Sequence, residues 1–281
     1  MSLPTLLNFA GLGVALVLVV ATLVRKQRVL ADWVFAVTLL LLAAERASAW
    51  QLQSAATTDD FLLWQHLRLA ALALTPGLWL TFSLTYARGD ARTFLRQWRL
   101  ALVAAFALPL ACVTLLRPLL FALQMRTADE GGAVLMLGPA GIGLHFFVLV
   151  GSVAALMNLE RTFRAAVGTM RWRIKFMLLG VGVLLIVRLY TSSQALLFRG
   201  LDADLDTVNA GALVIAGLLI LRSLLRTGTF QLDVYPSQSV LQGSLTVLLA
   251  GIYLLIVGVF AKVVAHFGAD AGFELTAFVV L

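Results

Sequence analysis

Leu6-Leu-Asn-Phe-Ala-Gly-Leu-Gly-Val-Ala-Leu-Val-Leu-Val-Val-Ala-Thr-Leu-Val24 is nearly unbroken apolar side chain, and Arg25-Lys26-Gln27-Arg28 follows at once. Wound as a helix at 1.5 Å per residue, such a stretch reaches about 28 Å, close to the hydrocarbon thickness of a bilayer. Runs of the same kind recur at 33–50, 62–86, 100–116, 142–159, 174–198, 208–225 and 240–264, which predicts eight spans. A ninth run opens at Phe273 and reaches Leu281 without a cap, polar tail or basic stop, so the protein is expected to continue.

Composition agrees, with 61% hydrophobic and 12% charged residues, far from the balance of a soluble domain. The runs are too long and too uniformly apolar for the alternating strands of an outer-membrane barrel, and lipid leaves backbone groups no partner but their own helix. The expected fold is therefore all-α, a polytopic transmembrane bundle forming one membrane domain over 1–281. Basic residues follow the first run rather than precede it, the reverse of a signal peptide, so that run should remain as an anchor. The single cysteine, Cys112, lies in an apolar run. It offers neither a disulfide framework nor a metal site and reads as lipid-facing or filler.

Orientation follows from the basic residues, which keep their connections cytoplasmic. Of the 21 Lys and Arg, 14 fall in one alternate set of connections and 4 in the other, and Arg46, Arg68 and Arg188 sit within spans. The N-terminus is expected outside. Acids at Asp59, Asp60, Asp129, Glu130, Asp202, Asp204 and Asp206 fall on that same outer side. Trp33, Trp50, Trp64, Trp98 and Trp172 stand near span ends, as an interfacial belt requires, and only Trp79 is out of place. The net charge of +7 is dispersed through short connections, which fits a membrane surface and not nucleic acid. In the longest outer connection, apolar stretches at 121–126 and 133–137 flank a Gly-rich turn and read as a hairpin or an irregular loop.

Chemistry should reside where polar residues stand in place of lipid-compatible ones. Glu45 and Arg46 lie about 7 Å inside the outer end of the second span, Gln65, His66 and Arg68 at similar depth in the third, and His145 near the outer end of the fifth. Arg188 is near the middle of the sixth, with Tyr190 and Gln194 between it and the outer surface. These nine residues are the candidate ligand-binding or sensing set. An isolated mid-bilayer charge costs roughly 2.5 to 3.5 kcal/mol on insertion scales, and Glu45 is the only acid inside the eight complete spans, so a Glu45–Arg188 pair is the first expectation. The same groups could simply staple helices together, with Arg46 and Arg68 snorkelling to headgroups and Trp64 stacked on Arg68. His66, His145 and His266 form no metal-ligand spacing. Gly151-Ser152 lacks a nucleophile elbow and reads as helix packing. No catalytic or metal-binding residue is assigned.

The segment Asp233-Val-Tyr-Pro-Ser-Gln-Ser-Val-Leu-Gln-Gly-Ser-Leu-Thr-Val-Leu-Leu-Ala-Gly-Ile-Tyr253, preceded by Leu221-Arg-Ser-Leu-Leu-Arg-Thr-Gly-Thr-Phe230, resembles the membrane region of the PrsK sensor histidine kinases of exosortase and PEP-CTERM protein-sorting systems. The Arg171-Trp-Arg-Ile-Lys-Phe-Met177 lead into the sixth span, and Arg188 with Tyr190 and Gln194, are similar too. More broadly, 1–225 resembles the seven-helix sensor regions of bacterial histidine kinases, with 226–281 an extra transmembrane hairpin. The resemblance implies an input domain in the bacterial inner membrane. It further implies a cytoplasmic kinase core, using ATP and magnesium, that follows this segment, a homodimer, and a cytoplasmic response regulator as partner. No phosphoacceptor His or nucleotide box of that family falls within 1–281, so this segment itself is expected to need no cofactor. Two other readings compete. A transporter could use Glu45, Arg68 and Arg188 as a substrate path, although no paired broken helices support it, and an intramembrane enzyme would need a motif that His66, His145 and Ser152 do not form.

Overall fold

The computed structural model describes residues 3–226 apart from 26, 27, 56, 88–90, 129–131 and 202. The predicted eighth span at 240–264, the ninth run from 273, the 226–281 hairpin and most of the segments quoted for the PrsK resemblance lie outside the described residues.

Within them the chain forms α1 (Leu3–Leu23), α2 (Leu30–Ser54), α3 (Thr58–Thr85), α4 (Ala91–Gln97), α5 (Arg99–Thr114), a 3-10 turn (Arg117–Leu119), β1 (Phe121–Ala128), β2 (Gly132–Leu137), α6 (Pro139–Ala165), α7 (Thr169–Phe198), β3 (Gly200–Leu201) and α8 (Ala203–Arg226). Each of the first seven predicted spans falls on one of these helices. Among the described residues five helices, α1, α3, α6, α7 and α8, are long and apolar enough to cross a membrane, and α4 with α5 makes a sixth if their 66° bend belongs to one span. Helix α2 falls short of that apolarity because it carries Asp32, Glu45 and Arg46, yet all three are buried inside the bundle. Its exposed face, with Trp33, Val37 and Leu40, is apolar.

Six helices close a ring in the order α1, α2, α3, α6, α7, α8, with α8 returning to α1, and α5 packs outside it on α3 and α6. Small residues allow the close approaches. A methyl group on Gly151 of α6 would stand 2.6 Å from Cβ of Pro76 in α3, and one on Gly180 of α7 would stand 2.9 Å from the Ala216 carbonyl oxygen of α8. The packing reading of Gly151-Ser152 therefore holds, and the Ser152 hydroxyl donates back to the Val148 carbonyl at 2.8 Å. Cys112 is buried with Val113, Leu72 and Leu144 between α3, α5 and α6, as filler. Trp79, the tryptophan away from the belt, packs with Phe35 and Phe82 in the main core.

The two ends of the bundle differ. At one, Arg28 lies over Trp33, Lys175 over Trp172, Arg171 over Phe163 and Arg222 over Phe176, with cation-to-ring distances of 4.5–5.3 Å. Asp32 caps α2 there by accepting from the Val29 amide at 2.9 Å, and Arg25 reaches both the Asp32 carboxylate at 3.7 Å and the Leu224 carbonyl at 3.2 Å. The opposite end carries the hairpin. Strands β1 and β2 pair antiparallel with Arg126 opposite Val134, and β3 joins through Leu135 opposite Leu201. The all-α expectation thus gains a small three-stranded sheet, whose third strand is two residues long and follows a left-handed Arg199 at the end of α7.

Candidate functional site

Below the sheet end, inside the ring, charged side chains from α2, α3, α7 and α8 meet, with Asn8 of α1 beside them. Glu45 and Arg46 are adjacent on α2, about 100° apart around its axis, and both turn inward, 1% and 2% exposed. The Arg188 guanidinium of α7 grips Glu45 with two parallel bonds, Nη1 to Oε1 at 2.9 Å and Nη2 to Oε2 at 2.7 Å. This fork-to-fork geometry is the strongest an arginine makes with a carboxylate. The expected Glu45–Arg188 contact is therefore present, and it joins helices on opposite sides of the ring.

Arg46 continues the chain of contacts. Its Nη2 donates to Glu45 Oε1 at 3.2 Å and to Asp206 Oδ1 at 3.4 Å, and its Nη1 donates to Asn8 Oδ1 at 3.2 Å and to the Asp206 carbonyl at 3.0 Å. Asp206, in the first turn of α8, also pairs with Arg68 of α3. The resulting order is Arg188, Glu45, Arg46, Asp206, Arg68. Arg46 does not snorkel to headgroups, and Arg68 turns to the carboxylate. One turn along α8, Asn209 accepts from Thr191 of α7 at 3.3 Å and donates to the Leu205 carbonyl at 2.9 Å. From α6, His145 is buried within electrostatic reach of Arg68, Arg188 and Glu45, and neither ring nitrogen has a hydrogen-bond partner among the described residues. Every helix of the ring thus supplies a polar group at this level.

Four sequence candidates stand in this network: Glu45, Arg46, Arg68 and Arg188. His145 borders it, and Gln65 is buried on α3 one turn before Arg68. His66 lies apart, its Nε2 3.2 Å from the Val113 carbonyl of α5 and its ring edge-on to Phe121. Tyr190 is 43% exposed on the outer surface of α7 and Gln194 is partly exposed, so neither joins the ion chain. Asp206, Asn8 and Asn209 were missed. In the sequence Asp206 reads with Asp202 and Asp204 as part of an outer connection; the available signal is the spacing of Asp206, Asn209, Ala212 and Leu213, which lie on one face of a helix.

A ring of apolar helices clasped by buried, mutually paired charges defines a multi-pass membrane domain whose polar centre couples helices to one another. Residues 7–236 match the family described as the N-terminal 7TM region of histidine kinase, and the chain belongs to that family. It is the transmembrane sensory region of a histidine kinase. No curated protein and no solved structure matches the chain.

Proposed function

We propose that the buried ion chain is the sensing element of this input domain, and that a stimulus acts by changing which carboxylate each arginine holds. The observation that carries the reading is that Glu45 and Asp206 link α2, α3, α7 and α8 across the ring. Exchange of a single arginine partner would therefore shift several helices at once, and packed helices respond by discrete shifts rather than by continuous deformation. His145 stands beside these charges with no hydrogen-bond partner among the described residues.

In the same proposal the protein lies in the bacterial inner membrane with its N-terminus and sheet end outside, and has eight spans leading to a ninth. It works as a homodimer and drives a cytoplasmic kinase core that uses ATP and magnesium to phosphorylate a response regulator. The quoted segments support the PrsK type of kinase, in exosortase and PEP-CTERM sorting. The transporter reading is not favoured, since family membership accounts for the intramembrane charges without a substrate path.

The test uses the full-length kinase in proteoliposomes. Glu45→Gln, Asp206→Asn and Arg188→Gln should each fix autophosphorylation at a constant level, high or low, whatever medium the sheet end faces. Variants that fold and respond like the parent protein would show that the network only staples helices.

A further inference from the structure

Charge within the ion chain does not balance. Arg188 with Glu45 and Arg68 with Asp206 make two neutral pairs, which leaves Arg46, between the two carboxylates, as a surplus cation among the described side chains. Asn8 and Asn209 are neutral, and His145 adds no negative charge in either protonation state. A buried positive charge without a counter-charge is strongly unfavourable where neither water nor lipid can solvate it.

Next to this surplus is a cavity of about 20 Å³, between α2, α3, α7 and α8. Arg46, Arg188 and Asn209 line it together with Trp79, Leu42 and Leu184. About 10 to 15 Å³ of such space holds one water. The cavity therefore has room for at least one particle of water or halide size. Arg46 and Arg188 both belong to this wall, and a positively charged wall of this kind favours an anion over a neutral occupant.

We propose that this cavity is a binding site for one monatomic monovalent anion, chloride or bromide, which neutralises Arg46 and completes the ion chain. The inference names a ligand for the network proposed above as the sensor and rests on that reading only for its effect on signalling.

The test is thermal unfolding of the 281-residue chain in phosphatidylcholine nanodiscs, with sodium chloride titrated against sodium gluconate at constant ionic strength. Chloride at a hundredfold excess over its dissociation constant should raise the melting temperature by roughly 5 °C, and bromide should do the same. Arg46→Met leaves two neutral pairs, should fold, and should lose the halide-dependent rise. Ala212→Leu fills the cavity while keeping every charge, and should lose it too. Equal melting temperatures of the parent chain in chloride and gluconate, or an undiminished halide effect in both variants, would overturn the site. A crystal grown with bromide should show one anomalous peak between Arg46 and Arg188, and a peak elsewhere alone would overturn it as well. Halide binding that survives while the full-length Glu45→Gln kinase responds normally would remove the sensing role and leave the anion site standing.

Discussion

Glu45 accepts from two guanidinium groups and has no water-facing atom of consequence, so its replacement unbalances more than one helix contact. Glu45→Gln raises the local surplus to two positive charges, whereas Arg188→Gln removes the surplus. Both lose the bidentate grip, yet the first should be the more damaging. Breaking a buried pair from one side costs about 3 to 5 kcal/mol, and Glu45→Gln should lie at the upper end of that range, with Arg188→Gln below it. The double variant should recover part of the loss, with a coupling of about 0.5 to 3 kcal/mol in a thermal-unfolding cycle. Additive losses would mean that the two residues act independently. Asp206→Asn should resemble Glu45→Gln, because it likewise raises the surplus and deprives both Arg46 and Arg68 of a carboxylate.

At the scale of elements, α3 and α6 cross where Pro76 faces Gly151, and the approach leaves no room for a side chain. Gly151→Leu should force the two helices apart and, as overpacking does, lower the stability by about 1 to 3 kcal/mol or more, read as a lower melting temperature. Gly182, which has open space around its Cβ position, should accept leucine with little change, and equal losses at the two sites would refute the packing account. The helices were legible in the sequence because burial in lipid imposes long apolar runs whatever the tertiary contacts. The Glu45–Arg188 pair was legible because an intramembrane charge needs a partner. Asp206 was not, since an acid at a helix end looks like connection until the helix is known to begin at Ala203. Strand β3 is too short to carry a pattern. The 66° bend between α4 and α5 leaves no proline or glycine signature at Trp98.

Two expectations concern the whole molecule. Counted by connection, the 14 to 4 distribution of Lys and Arg predicts the sheet end outside. A periplasm-active reporter fused at Asp204 should work, one fused at Arg164 should fail, and the opposite pattern would invert the topology. With labelled ATP the 281-residue chain should remain unlabelled, because no histidine within it stands in a phosphoacceptor context; stoichiometric labelling would contradict this. Helix α8 connects the two ends of the bundle. Asp206 is held by arginines near one end, and Arg25 holds the Leu224 carbonyl about 27 Å away along the same rod. A rigid body fixed at two points keeps one degree of freedom, rotation about the line between them. That line runs along the helix, so these two contacts oppose sliding and tilting of α8 more than they oppose rotation about its length.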